Sequence, residues 1–246
     1  MIKHKICEAN GTAWYVLGRD PNKSESVIDT CEYVVICGQE AMLLDPGGTE
    51  IFPPVVGAVS EIIDLQSITT FFCSHQDPDI MSSLPLWMGL CPSAKIHVSW
   101  VWSHFIAHFG HEYVKQFVPI PDEGDVIKLG SNKTFHLIPA HYCHSSGNFS
   151  LYDEINKLLF SGDIGAALLP ETETGLFVGD FRNHVKYMEG FHKRWMPSNR
   201  AKNKWIERVR QLDVQYLCPQ HGAIFEGENV GKFLDWFEQL EVGSAI

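Results

Sequence analysis

Short apolar runs alternate with stretches of helical periodicity along this chain, and turn-forming residues mark the boundaries. The pattern predicts strands over residues 13–16, 33–36 and 42–44, with Gly38 and Gln39 as a hairpin turn between the last two. Residues 51–65 read as a helix with proline near its start. A strand over 69–73, a helix over about 81–90, a strand over 95–98 and a helix over 100–109 complete the first half. The second half repeats the theme: strands over 134–138 and 157–160, a long helical region over 184–212, a strand over 214–217 and an amphipathic helix over 230–240. No Gly/Ser linker, charge block or low-complexity run intervenes, so residues 1–246 are expected to form one domain. Two strand-rich halves with outer helices predict an α/β fold, arranged as a four-layer αββα sandwich.

Several of these strands lead directly into potential chemistry. Four loops that carry His or Asp each come straight after a short apolar strand: 74–79, 141–148, 161–163 and 219–222. The C-terminal ends of strands are where α/β folds place binding chemistry. Composition narrows the class further. The formal net charge of -11 argues against nucleic acid or an anionic membrane as the main partner, since both select a basic surface. The seven cysteines are odd in number, show no CxxC pair and sit partly in apolar runs, which predicts reduced, packed thiols in a cytoplasmic protein. No stretch has the length of a signal peptide or a membrane span.

His75-Gln76-Asp77-Pro78-Asp79 alternates three donors within five residues. Pro78 predicts irregular backbone there. Two carboxylates so close together repel, unless a cation holds both ionised. The alternative is that the acids cap the next helix and His75 is a core residue. His144 in His144-Ser145-Ser146-Gly147-Asn148, Asp163 in Ser161-Gly162-Asp163 and His221 in Gln220-His221-Gly222 add donors at three more strand ends. One shared two-metal site explains all four loops more simply than four unrelated turns do. His141 is a possible replacement or supporting residue, three positions before His144. Tyr187 and His192 are candidates to line the centre, Tyr187 with a hydroxyl able to hydrogen-bond a ligand held there, although a core or surface role is the preferred reading for both. His104, His108 and His111 share one helical face but lack accompanying acids, so a pocket wall is the preferred reading. Cys73 and Cys143 adjoin the donor loops and read as packed thiols.

The pattern HxDxD…H…D…H resembles the metallo-β-lactamase superfamily, and more narrowly the β-lactamase-like di-iron domain of flavodiiron proteins and the stand-alone oxygen-binding di-iron proteins related to them. The gaps are similar as well: 64 residues between Asp79 and His144, 18 between His144 and Asp163, and 57 between Asp163 and His221. Asp45-Pro46-Gly47-Gly48 and the closing Gln-His-Gly extend the resemblance over almost the whole chain. It implies that His75, Asp77 and His144 hold one metal, Asp79 and His221 the second, and Asp163 bridges. It also implies two iron ions linked by a hydroxo, oxo or peroxo bridge, with manganese or zinc as the other candidates and no FMN in this chain. An acid at Asp77, where the hydrolases usually carry His, favours iron or manganese over zinc. Ile80 replaces an expected ligand and leaves the second ion short of one. The implied function is an O2-binding sensor in signalling or chemotaxis, with O2 as ligand, a chemoreceptor or other signalling protein as partner, and a homodimer left open. The alternatives are an O2 or NO reductase (a di-iron oxidoreductase) fed by a separate flavoprotein or rubredoxin, and a metallohydrolase. No second α/β module with a flavin loop is legible, which favours the sensor.

Overall fold

The computed structural model describes residues 1–19, 26–130 and 133–244. Its contacts divide the chain into two compact units, Met1–Phe135 and His136–Ile246.

The first unit holds strands β1 (Ile2–Ala9), β2 (Thr12–Gly18), β3 (Cys31–Cys37) and β4 (Glu40–Leu44), helix α1 (Phe52–Ser60), strand β5 (Ile68–Phe72), helices α2 (Pro78–Met81) and α3 (Leu84–Leu90), strand β6 (Lys95–Ser99), helix α4 (Trp100–Ile106), and strands β7 (Phe117–Ile120) and β8 (Val126–Leu129). Its sheet runs β1-β2-β3-β4-β5-β6-β7. The first four strands pair antiparallel, and β4 to β7 pair parallel. The switch follows from the connections. Two-residue turns can join only antiparallel neighbours, whereas the later links carry helices long enough to cross over. Asn10 (φ 51°) and Gly11 (φ 75°) close the β1–β2 hairpin in the left-handed conformations that an Asn-Gly turn supplies. β3 is buried almost throughout, so it reads as a continuous apolar run, whereas β1 is an edge strand with a largely exposed face. The core gathers Val34, Leu43, Phe71, Trp87 and Ile96. Trp87 packs against Phe52 and Phe71, with ring centroids 5.2 and 5.8 Å away.

The second unit begins within β9 (Lys133–Pro139). It continues with β10 (Phe149–Asp153), β11 (Leu158–Gly162), α5 (Phe181–Trp195), α6 (Asn199–Val209), β12 (Tyr216–Pro219), β13 (Phe225–Glu226) and α7 (Glu228–Gln239). Its strands run β13-β12-β11-β10-β9, with β11 and β12 the one parallel pair among them. Leu159, Met188, Trp205, Leu217, Phe233 and Phe237 lie in its core.

Three of the differences from the sequence expectation lie in helical segments. The helix expected over 51–65 is regular only as α1, because the Asp64 side chain caps a separate short turn by accepting from the Gln66 N–H (3.0 Å). The region 184–212 breaks at Met196-Pro197-Ser198. Pro197 has no N–H to continue α5, and Ser198 caps α6 by accepting from the Ala201 N–H (3.2 Å). Pro78 starts a helical turn rather than preventing one, because at the first helical position its missing N–H costs nothing. Each unit thus joins a sheet to helices, the mixed α/β organisation expected.

Candidate metal centre

In the first unit β5 delivers Ser74, His75 and Asp77. His75 is buried. Its ring is held by a relay that reaches back to the end of β4. The Ser74 hydroxyl donates to Asp45 Oδ2 (2.6 Å), so its oxygen is left to accept from His75 Nδ1–H (2.9 Å). Asp45 also accepts from the Ser74 backbone N–H (2.7 Å) and is itself fully buried, with φ at 44°. Fixing the proton on Nδ1 leaves the lone pair on Nε2, the nitrogen available to a metal. That Nε2 lies 3.7 Å from Asp77 Oδ2, while Gln76 Nε2 donates to Asp77 Oδ1 (2.9 Å). Asp77 occupies the N-cap of α2, yet its side chain makes no capping bond, so helix capping does not account for the acid. Asp79 sits in the first turn and lines a cavity of about 420 Å³ together with Thr49, Glu50, Pro78 and Ser82. Ile80 is fully buried in the core of this unit, which explains how a non-ligand fits there.

In the second unit three loops converge. His144 has φ at 77°, a conformation that a side-chain-bearing residue holds only when its surroundings impose it. Below it, the Asn148 side-chain amide donates to the Cys143 carbonyl (2.6 Å). Asp163 follows β11 and is buried. Its Oδ2 lies 3.6 Å from His144 Nε2 and its Oδ1 lies 3.5 Å from His221 Nε2. Both separations are long for a hydrogen bond. They match donors around an ion, since two ligands each about 2.1 Å from one metal stand roughly 3–3.5 Å apart. Each carboxylate oxygen faces a different histidine, as a carboxylate shared between two ions requires.

His221 reaches this position because Gly222 (φ 94°) lets the chain press against the Asp163 loop. A Cβ there would come within 2.7 Å of the Ala167 side chain, and the Ala167 N–H donates to the His221 carbonyl (3.1 Å). The fully buried side-chain amide of Gln220, next in the chain, has no hydrogen-bond partner among the described residues, as expected of a group beside an ion or ordered water. His192 supports the Asp163 loop from α5. Its Nδ1–H donates to the Met188 carbonyl (2.9 Å), and its Nε2 accepts from the Gly165 N–H (3.0 Å). Burial keeps this imidazole neutral, with a pKa pushed down to about 4. Phe191 and Trp195 wall the site: the His144 ring meets Trp195 edge-on at 5.4 Å, and Phe191 lies 6.4 Å from His221.

The remaining candidates have contacts of their own. The Tyr187 hydroxyl donates to Glu173 (3.2 Å). His141 is half-buried, with its ring edge-on to Phe149 at 5.0 Å. His104 and His108 are exposed and belong to no donor cluster among the described residues, and the His111 side chain lies outside those described. Burial raises the Cys73 thiol well above its ordinary range and the Cys143 thiol to about 12, so both stay protonated and unreactive. Sequence reasoning missed the parts played by Ser74 and Trp195 and the relay through Asp45.

Two sheets with helices, and His- and Asp-bearing loops at strand ends, define a metallo-β-lactamase-like protein. The chain belongs to the family described as "ODP family beta lactamase", whose profile matches residues 28–222 and so spans both units. It is similar to the solved "Peroxy diiron species of chemotaxis sensor ODP", at 40% identity and a TM-score of 0.88, over 99% of this chain and 97% of that one. It is equally similar to the apo state of the chemotaxis sensor ODP from T. denticola, at 41% identity and 0.88, over 99% and 96%. The rubredoxin oxygen:oxidoreductase of Desulfovibrio gigas shares the fold at 19% identity and 0.84, over 97% of this chain and 61% of that one. The chain spans about half the length of an uncharacterized protein of Methanocaldococcus jannaschii that it matches at 23% identity (82% of this chain, 51% of that protein).

Proposed function

We propose that this chain is a non-haem di-iron protein that binds O2 and serves as an oxygen sensor in chemotaxis or related signalling. In this reading the ligands are His75, Asp77, Asp79, His144, Asp163 and His221, and residues 1–246 are one domain. The observation that carries it is Asp163, buried, with each oxygen facing a different imidazole at 3.5–3.6 Å. The donor set suits iron: three carboxylates and a bridging hydroxide would balance two divalent ions, and the hard oxygens disfavour zinc relative to the histidine-rich hydrolase sites. Two iron ions would supply reversible O2 binding, one electron being drawn from each.

The chain's own residues set the terms. Ser74 and Asp45 hold His75 in the ligating tautomer, His192 holds the Asp163 loop, and Ile80, buried in the core, would supply no ligand to either ion. The neighbour named as a chemotaxis sensor, at 40% identity, supports the sensor role and a chemoreceptor as partner. No helix among the described residues is long and apolar enough to cross a membrane.

The competing role is an O2 or NO reductase. Steady O2 and NO consumption by the iron-loaded protein, driven by NADH through a generic flavoprotein reductase, separates the two. The sensor reading expects a single binding event and negligible turnover. Sustained rapid multiple turnover would replace it with the reductase.

A further inference from the structure

The acidic balance of the chain is not spread evenly. Residues 181–210, which form α5, the turn at Pro197 and α6, hold nine of the 19 Lys and Arg residues but only two of the 30 Asp and Glu. Several of these cations are committed. Lys193 pairs with Glu189, Lys204 with Glu207, and Arg210 with Asp235 and Glu238. Arg208 donates to the Pro139 carbonyl, and Lys202 is buried against the end of α7. Arg194 and Arg200 are exposed and form no ion pair among the described residues. They stand on either side of the α5–α6 turn. Beside Arg194 is Trp195, 53% exposed although a tryptophan ordinarily gains by burial. The same indole packs edge-to-face with the His144 ring, centroids 5.4 Å apart, and its centroid lies 6.2 Å from that of Phe191.

We propose that this face, centred on Trp195 with Arg194 and Arg200, is the docking surface for an acidic protein, and that Trp195 couples docking to the metal centre through His144. The inference rests on the sensor reading above, which requires a protein that reads the centre. Exposed Trp flanked by Arg is the composition of an interface hot spot. A cationic band on an otherwise strongly anionic chain selects a compact carboxylate-bearing surface that touches the band alone. An extended polyanion, such as duplex nucleic acid or an anionic bilayer, would also meet the acidic remainder and be repelled.

The test uses the full chain loaded with iron, and as probe the cytoplasmic signalling domain of a chemoreceptor from the same organism. Binding is measured with and without O2, at about 50 and about 300 mM salt. The expected result is binding that weakens with salt, falls at least about tenfold in the Arg194→Glu/Arg200→Glu variant, and leaves iron content and the O2-induced absorption band unchanged. Trp195→Phe, which keeps an aromatic ring against His144, is expected to bind the probe with a reduced difference between the O2 and O2-free states. The double variant binding within about twofold of wild type overturns the proposal. So does tighter binding to vesicles containing phosphatidylglycerol or to duplex DNA, or a wild type with an intact O2 band that does not bind the receptor domain. A wild type that loads iron but shows no O2 band overturns the sensor reading instead.

Discussion

Ser74→Ala removes the one hydroxyl that links Asp45 to His75. Two bonds are lost together: the donation to Asp45 Oδ2 at 2.6 Å and the acceptance from His75 Nδ1 at 2.9 Å. Their consequences can be measured separately. Asp45 is fully buried and keeps its bond from the Ser74 backbone N–H, but Oδ2 loses the Ser74 hydroxyl as a donor. A lost hydrogen bond to a buried charged group costs about 2–3 kcal/mol, and this appears as lower stability of the metal-free protein. His75 loses the contact that fixes its tautomer and ring orientation. Removing such a support costs roughly 10- to 100-fold in metal affinity, or about 1.4–2.8 kcal/mol. Urea unfolding of the metal-free variant measures the first effect, and competition against a chelating indicator measures the second. Both changes are expected. An affinity within about twofold of wild type, in a variant destabilised as expected, would refute the argument that the relay prepares His75 as a ligand.

Gly222→Ala should cost several kcal/mol and most of the metal content, because its Cβ would strike Ala167 at 2.7 Å in a left-handed conformation; far-UV circular dichroism and metal analysis check this. Lys202→Met should lower the melting temperature by roughly 5–10 °C, since the buried ammonium donates to the carbonyls of Phe237, Glu238 and Leu240 at 2.6–2.9 Å and its loss leaves the end of α7 without those donors. An unchanged melting temperature would show that water replaces the amine freely. Burial lowers the pKa of His97, His184 and His192 to about 4 each, against an ordinary 6.5. Well above pH 6.5 these groups are neutral in both states and contribute no pH dependence. Between 6.5 and about 4 the unfolded chain takes up protons that the native one refuses, so stability falls by about 1.4 kcal/mol per pH unit for each histidine. A urea midpoint of the metal-free protein that stays flat from about pH 7 to about pH 5 would contradict that assignment.

The parts of the fold legible in the sequence were those with unambiguous burial. β3, β4 and β5 are almost wholly buried, and the apolar stretches Tyr33–Ile36, Ala41–Leu44 and Phe71–Phe72 within them stand out. β1 escaped notice because it is an edge strand whose exposed positions carry Lys and His, although the Asn10-Gly11 turn beside it was a usable hairpin signal. β7, β8, β10 and β13 were also not anticipated; the first two and the last are only two to four residues long and show little period. The break at Pro197 was written in Pro and Ser, yet the amphipathic pattern continues on both sides and masked it. The six proposed ligands were legible because strand, loop and donor type coincide at each. Their supports were not. Ser74 has meaning only beside Asp45, 29 positions earlier, and His192 only beside Gly165, 27 positions earlier. Such pairings are fixed by the packing of elements distant in sequence, and one residue type in isolation does not announce them.

The central claim is a two-iron centre that binds O2. Protein produced and purified without air, analysed for metal and then exposed to O2 while its visible spectrum is recorded, tests that claim most directly. The expected result is about two irons per chain, little colour before exposure, and a new visible charge-transfer band on adding O2. One or two zinc ions per chain, or two irons and a spectrum unmoved by O2, would contradict it.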